Sequence, residues 1–180
     1  MRVFPDVGSF TPATPEEILR PPQVWFVLLT LLLALVANMA PLSGVALALH
    51  PDFLALVLLY WCIQAPRVCG VGTAWFVGLL MDVADATLFG QHALAYAVLA
   101  FAADYFRRRV LRFPLWQQAV QVGMLLLVCA ALVLLVRFIG GAPPVRWTYW
   151  ASPLVAALLW PLFSVVLQRP QRPRRRGDSV

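Results

Sequence analysis

Long apolar runs separated by short polar breaks dominate the chain. Uncharged runs cover residues 21–51, 86–103, 113–136 and 147–168, and two shorter ones flank Arg67. Each long run can cross a hydrocarbon core of about 30 Å as a helix that rises about 1.5 Å per residue. The pattern therefore predicts an all-α fold, a polytopic transmembrane helical bundle.

Proline, glycine and charged residues divide these runs into six predicted helices. The expected bounds are 25–40, 51–65, 70–87, 91–106, 115–138 and 150–167. In the short second helix, Pro51 at the first position and Asp52 beside it fit the positive end of a helix dipole. The small residues Gly70, Gly72 and Gly78 predict that the third helix is the central packing element.

Six spans place both termini on one side of the membrane. Residues 1–23 are expected to form a cytoplasmic N-terminal extension, residues 24–167 the transmembrane domain, and residues 168–180 a disordered basic cytoplasmic tail. With the N-terminus inside, twelve arginines fall on the inner side, and Arg137 and Arg146 fall on the outer side. This asymmetry follows the positive-inside rule and predicts an N-in, C-in, multi-pass protein of the cytoplasmic membrane.

Composition and charge narrow the class of protein further. Hydrophobic residues make up 62% of the chain, mean hydropathy is +0.80, and the charged fraction of 12% is about half that of a soluble domain. The net charge of +6 lies beside membrane segments, which favours contact with anionic lipid over nucleic acid. The arginines assigned to topology and lipid contact are Arg107, Arg108, Arg109, Arg112, Arg172, Arg174, Arg175 and Arg176.

Asp82 is the charge that topology does not explain. It lies about 18 Å along the third predicted helix and shares a helical face with Gly78 and Asp85. Three interpretations are open: an ion or proton relay, a contact for a partner's membrane helix, and a hydrogen bond to a neighbouring helix through Gln91 or His92. A relay needs further acidic or histidine residues along a path, and the fifth and sixth helices supply none, so the other two interpretations are favoured.

The sequence predicts neither an enzyme nor a bound cofactor. It contains no nucleophile elbow and no phosphate-binding glycine loop, and its three cysteines lack metal-ligand spacing. These cysteines are expected to be small apolar packing residues. Asp104 precedes Arg107 and Arg108 by three and four residues, so an ion pair within one helix is expected there.

Several short motifs follow one another in a fixed order between residues 51 and 105. They are Pro51-Asp52-Phe53-Leu54, Tyr60-Trp61, Pro66-Arg67, Gly70, Gly78-Leu79-Leu80-Met81-Asp82 and Leu88-Phe89-Gly90-Gln91-His92-Ala93-Leu94-Ala95-Tyr96. The ordered set resembles the family of the rod shape-determining protein MreD. The residues that match the family pattern, together with Asp85, are the candidate partner-contact or helix-packing residues: Pro51, Asp52, Tyr60, Trp61, Pro66, Arg67, Gly78, Asp82, Asp85, Gly90 and His92.

The resemblance implies a non-catalytic inner-membrane component of the bacterial machinery that maintains rod shape. It implies association with MreC, a single-span protein, and work alongside the actin-like MreB and a peptidoglycan polymerase and transpeptidase pair. The family is also thought to resemble the substrate-binding membrane subunits of vitamin transporters. A second hypothesis is therefore a small-molecule binding subunit in which Asp82, Asp85 and His92 enclose a ligand. The mostly aliphatic surface of the first three helices favours the first hypothesis.

Overall fold

A computed structural model of the chain describes residues 23–41, 44, 50–142 and 147–168. Six α-helices and one short 3-10 helix, without any strand, form this described part. They are α1 (Val24–Asn38), α2 (Phe53–Gln64), α3 (Val71–Ala84), α4 (Gln91–Val110), α5 (Leu115–Ile139), the 3-10 helix (Trp147–Trp150) and α6 (Ala151–Gln168). The all-α prediction is confirmed. The predictions for residues 1–22 and for the tail, including Arg172, Arg174, Arg175 and Arg176, lie outside the described residues.

Two stretches are long and apolar enough to cross a membrane by length and composition: α5, and Thr148–Gln168, which contains α6. The helices α1, α2 and α3 are shorter apolar helices. This arrangement is that of a helical membrane bundle, as the apolar runs predict.

The second helix begins later than expected. Its first residue is Phe53, and Asp52 is its N-cap, with the carboxylate Oδ1 accepting a hydrogen bond from the Ala55 backbone N–H at 2.9 Å. The prediction that Pro51 occupies the first helical position was therefore wrong, although Asp52 does stand at the positive end of the helix. With 12 residues, α2 is only about 18 Å long.

The fourth helix ends later than expected. It continues to Val110, so Arg107, Arg108 and Arg109 form its last turn rather than a loop. Cations in the last turn of a helix interact favourably with the negative end of its dipole.

The central helix of the bundle is α2. Every residue from Leu54 to Ile63 is at most 3% exposed, and α1, α4, α5 and α6 all pack against it. By contrast, α3 packs mainly against α4, and only four of its residues are buried: Ala74, Gly78, Met81 and Asp82. The prediction that the third helix is the central packing element was wrong, because its small residues allow close approach to a single neighbour.

Trp61 links α2 to α1. Its indole Nε1–H donates to Thr30 Oγ1 at 2.8 Å, and its ring contacts Phe26 edge-on at 5.8 Å between centroids. Next to it, Tyr60 faces Trp160 of α6, with the centroids 6.0 Å apart. The three cysteines are buried and form no disulfide.

Candidate functional site

Asp82 lies in the last turn of α3 and is 1% exposed. Its Oδ2 accepts a hydrogen bond from the Gly90 backbone N–H, and its Oδ1 accepts one from the His92 backbone N–H, both at 2.8 Å. The His92 ring Nδ1 also lies 2.8 Å from Oδ1. These backbone groups belong to the start of α4, where the first N–H groups have no partner inside the helix. Asp82 therefore caps α4 from a different helix, and its charge faces the positive end of the α4 dipole.

Two glycines allow this contact. A Cβ at Gly78 would meet the Ala93 backbone Cα and N and would lie 2.6 Å from the His92 carbonyl oxygen, so only glycine lets α3 approach the first turn of α4. Gly90 is the N-cap residue of α4 and has φ of 98°, in the left-handed region that glycine adopts without strain. Gly78, Asp82 and the start of α4 thus form one packed unit.

Asp85 is separate from this unit. Because α3 ends at Ala84, Asp85 is its C-cap residue and is exposed, whereas Gly78 and Asp82 are buried on the expected common face. Partial desolvation raises the pKa of the Asp85 carboxyl above its ordinary value, and the neighbouring His92 opposes this shift. The two carboxylates that the sequence places three residues apart therefore have opposite environments.

Asp52 forms the second polar junction. Its Oδ1 accepts a hydrogen bond from Asn38 Nδ2 at 2.8 Å, and its Oδ2 accepts one from the Tyr96 hydroxyl at 2.7 Å. The Asn38 Oδ1 in turn accepts from the Phe53 backbone N–H at 2.9 Å. One carboxylate thus joins the end of α1, the start of α2 and the body of α4.

The sequence prediction missed Asn38 and Tyr96. A signal for Asn38 existed, since it is the one amide side chain in the apolar run of α1. Tyr96 closes the last of the family motifs but was not assigned a role. The sequence does not indicate that both residues bond to Asp52, which lies 14 positions from Asn38 and 44 positions from Tyr96.

The two junctions lie side by side, because His92 and Tyr96 are one turn apart on α4 and their rings are 5.8 Å apart. We call the five residues Asn38, Asp52, Asp82, His92 and Tyr96 the polar end cluster. Next to it is a cavity of about 40 Å³ whose polar lining is Asp52, His92, Tyr149 and Ser152. This volume admits a water molecule but is far below the roughly 300–1,000 Å³ of ligand pockets. No group of metal-ligating side chains occurs within the described ranges.

The opposite end of α2 is capped from α4. The Arg107 Nε–H donates to the Ile63 carbonyl oxygen at 2.6 Å, where the last carbonyls of α2 have no partner inside the helix. The expected ion pair of Asp104 with Arg107 or Arg108 was wrong, since Asp104 makes no ion pair with any residue that the structure describes. Arg108, Arg109 and Arg112 are exposed.

Comparison with known proteins identifies the family. The family model described as rod shape-determining protein MreD matches residues 20–169. The chain belongs to the MreD family. A relative from Haemophilus influenzae, named Rod shape-determining protein MreD, is 28% identical over 151 residues, which are 82% of this chain and 92% of the relative. No solved structure matches the chain.

Membership in the MreD family confirms the resemblance drawn from residues 51–105 and, with the apolar helices, makes this a membrane protein. The likeness to vitamin-transporter subunits stays a prediction.

The residues that match the MreD family pattern lie in three places in the structure. Asp52, Asp82, His92, Gly78 and Gly90 lie at the polar end cluster or in contact with it, and Pro51 is buried just before it. Tyr60 and Trp61 lie in the buried body of α2. Pro66 and the exposed Arg67 form the turn between α2 and α3, at the end that Arg107 caps.

Proposed function

We propose that this MreD-family chain is a non-catalytic, multi-pass scaffold of the bacterial inner membrane that organises peptidoglycan synthesis during cell elongation. Family membership supports the role in rod-shape determination. The observation that carries the non-catalytic role is the use of two carboxylates, the buried Asp82 and the part-buried Asp52. Each of them accepts hydrogen bonds at the end of a helix. What remains available to other membrane proteins is apolar helix surface.

The proposed partner is an MreC-like single-span protein, whose helix would pack against α1 or α3. Among the described helices, α1 packs mainly against α2 and α3 mainly against α4, so each leaves a wide face without a described neighbour. On α1 the exposed residues include Leu28 and Leu32, and on α3 they include Trp75 and Leu80. Contact between membrane helices rests on close van der Waals packing, which such faces can supply.

The proposed topology is N-in and C-in, with Arg107, Arg108, Arg109 and Arg112 at the cytoplasmic surface. This end would face an MreB-type filament, directly or through other components. The peptidoglycan polymerase and transpeptidase pair would join through the MreC-like protein or through the bundle itself.

Bulky substitutions on different faces test the partner proposal. We expect Leu32→Trp on α1 or Leu80→Trp on α3 to lower co-purification of the MreC-like protein about tenfold and to round the cells, at matched levels of inserted protein. Leu158→Trp on α6 is the control, because Leu158 is 83% exposed on another face. Recovery that is unchanged in both test variants would contradict a contact through α1 or α3.

The geometry does not favour the alternative of a vitamin-type binding subunit. Asp82 and His92 bond to each other instead of lining an open ligand site together, and the cavity that Asp52 and His92 do line measures about 40 Å³.

A further inference from the structure

A second cavity lies at the surface of the bundle, between the last turns of α4 and the first half of α5. It is a groove of about 360 Å³, and we call it the α4–α5 groove. Phe106 and Arg109 line it from α4, and Gln121, Met124, Leu125 and Val128 line it from α5. Val128 is seven residues beyond Gln121, so the groove extends about 10 Å along α5.

The lining shows what can occupy the groove. Apart from Arg109 and Gln121, the side chains named above are apolar, and Met124 and Val128 are 65% and 54% exposed toward the surroundings of the bundle. Water in such a place would lack the two to four polar partners that ordered water requires. In a bilayer, a flexible hydrocarbon chain fills this space and restores the packing contacts of the walls.

The charge at the groove indicates the head group. Arg109 is exposed and makes no ion pair with the residues that the structure describes, and Arg108 and Arg112 are exposed close by. A guanidinium binds phosphate oxygens in a forked arrangement, and basic sites beside membrane helices attract anionic head groups. Asp104 is the one carboxylate near these arginines in α4, so the local charge remains positive.

We propose that the α4–α5 groove binds one anionic phospholipid, with an acyl chain along Met124 and Val128 and the phosphate on Arg109. Gln121 supplies a further polar group to the ester region. This inference needs only a membrane location and is independent of the proposed partner.

Lipid titration of the full-length protein tests the site. The protein is purified in non-ionic detergent, and native mass spectrometry then counts retained lipid at equal concentrations of phosphatidylglycerol or phosphatidylethanolamine. We expect phosphatidylglycerol to bind more tightly. Arg109→Gln should weaken its binding about tenfold or more, because a charge-assisted contact is lost. The matched control Arg108→Gln removes the same charge from a neighbouring residue that does not line the groove, and it should change binding less than twofold.

Two further arms separate a lipid site from simple charge attraction. Met124→Trp fills the groove without changing charge and should displace phosphatidylglycerol, whereas glycerophosphoglycerol, which has the head group without acyl chains, should not compete. Equal losses in the Arg109 and Arg108 variants would overturn the proposal, as would equal binding of the two lipids or no effect of Met124→Trp. Thermal unfolding of each variant is the control for an intact bundle. We expect it to be unchanged, because the substituted side chains are exposed.

Discussion

The helices α2 and α3 are two apolar helices of similar length with opposite positions in the bundle. Ten consecutive residues of α2 are buried, whereas α3 buries four residues and exposes Trp75, Phe76, Leu80 and Val83. Composition does not explain the difference, because a lipid-facing surface is as apolar as a protein core. The two helices differ instead in what surrounds their ends. Other helices hold α2 at both ends, through Asn38 and Tyr96 at its start and through Arg107 at its end.

The partners at the two ends of α2 meet a need that follows from its short length. At about 18 Å, α2 is shorter than a hydrocarbon core of about 30 Å, so its unpaired end groups need partners supplied by the protein. The polar residues of the bundle meet that need. In the same way, Asp82 of α3 supplies the cap for the start of α4.

The largest expected contrast is between two tryptophans. We expect Trp61→Ala on α2 to lower the free energy of unfolding by about 3–5 kcal/mol, because it leaves a large cavity and removes the hydrogen bond to Thr30. Trp75→Ala on α3 should change it by less than about 0.5 kcal/mol, because Trp75 is half-exposed. Unfolding in a series of sodium dodecyl sulfate concentrations measures both, and similar losses would break the distinction between the two helices.

Two aspartates give the next contrast. Asp82→Ala is expected to cost about 3 kcal/mol, because the N–H groups of Gly90 and His92 lose their acceptor in a buried place. Asp85→Ala is the matched control and should be nearly neutral, because Asp85 is exposed at the helix end. Thermal unfolding in detergent provides the comparison. An equally stable Asp82 variant would show that the cap is not needed.

Two glycines of α3 test its close contact with α4. Gly78→Ala should cost about 1–3 kcal/mol, because the added Cβ has to displace backbone atoms of Ala93 and His92. Gly72→Ala should be neutral or slightly stabilising, since no atom lies within 4 Å of its Cβ position and alanine favours helix. The same unfolding assay applies, and a tolerated Gly78→Ala would mean that α3 does not hold α4 so closely.

The smallest expected contrast is between two arginines of α4. Arg107→Gln should lower stability by about 1–2 kcal/mol, because the Ile63 carbonyl loses a charge-assisted partner at the end of α2. Arg108→Gln should have little effect, because Arg108 is exposed. Equal effects of the two substitutions would indicate that only the total charge matters at this end.

The sequence predicts helices better than it predicts their neighbours. The starts of α4 and α5 coincide with the expected bounds, because Gly90 and Pro114 interrupt the chain just before them. The burial of α2 was not predictable, since its residues are apolar on every face. The partner of Arg107 is 44 positions away in the chain, and local spacing suggested Asp104 instead.

The candidate site was predicted in part. Asp82 stood out as a charge within an apolar run, and His92, one of its two suggested receivers, does bond to it. That Asp82 also accepts hydrogen bonds from the backbone was not predictable, however, because backbone N–H groups leave no signal in the sequence. That Asp82 caps a helix follows only from the close approach at Gly78.

Amide hydrogen exchange is the sharpest test of whether the buried carboxylate of Asp82 holds the start of α4. The measurement compares exchange at Gly90 and His92 in the wild type, Asp82→Ala and Asp85→Ala, with the buried residues 54–63 of α2 as an internal reference. We expect exchange at Gly90 and His92 to become at least about tenfold faster in Asp82→Ala alone, while exchange in the α2 reference stays as slow as in the wild type. Unchanged exchange in that variant, or equal acceleration in Asp85→Ala, would show that Asp82 does not hold the start of α4.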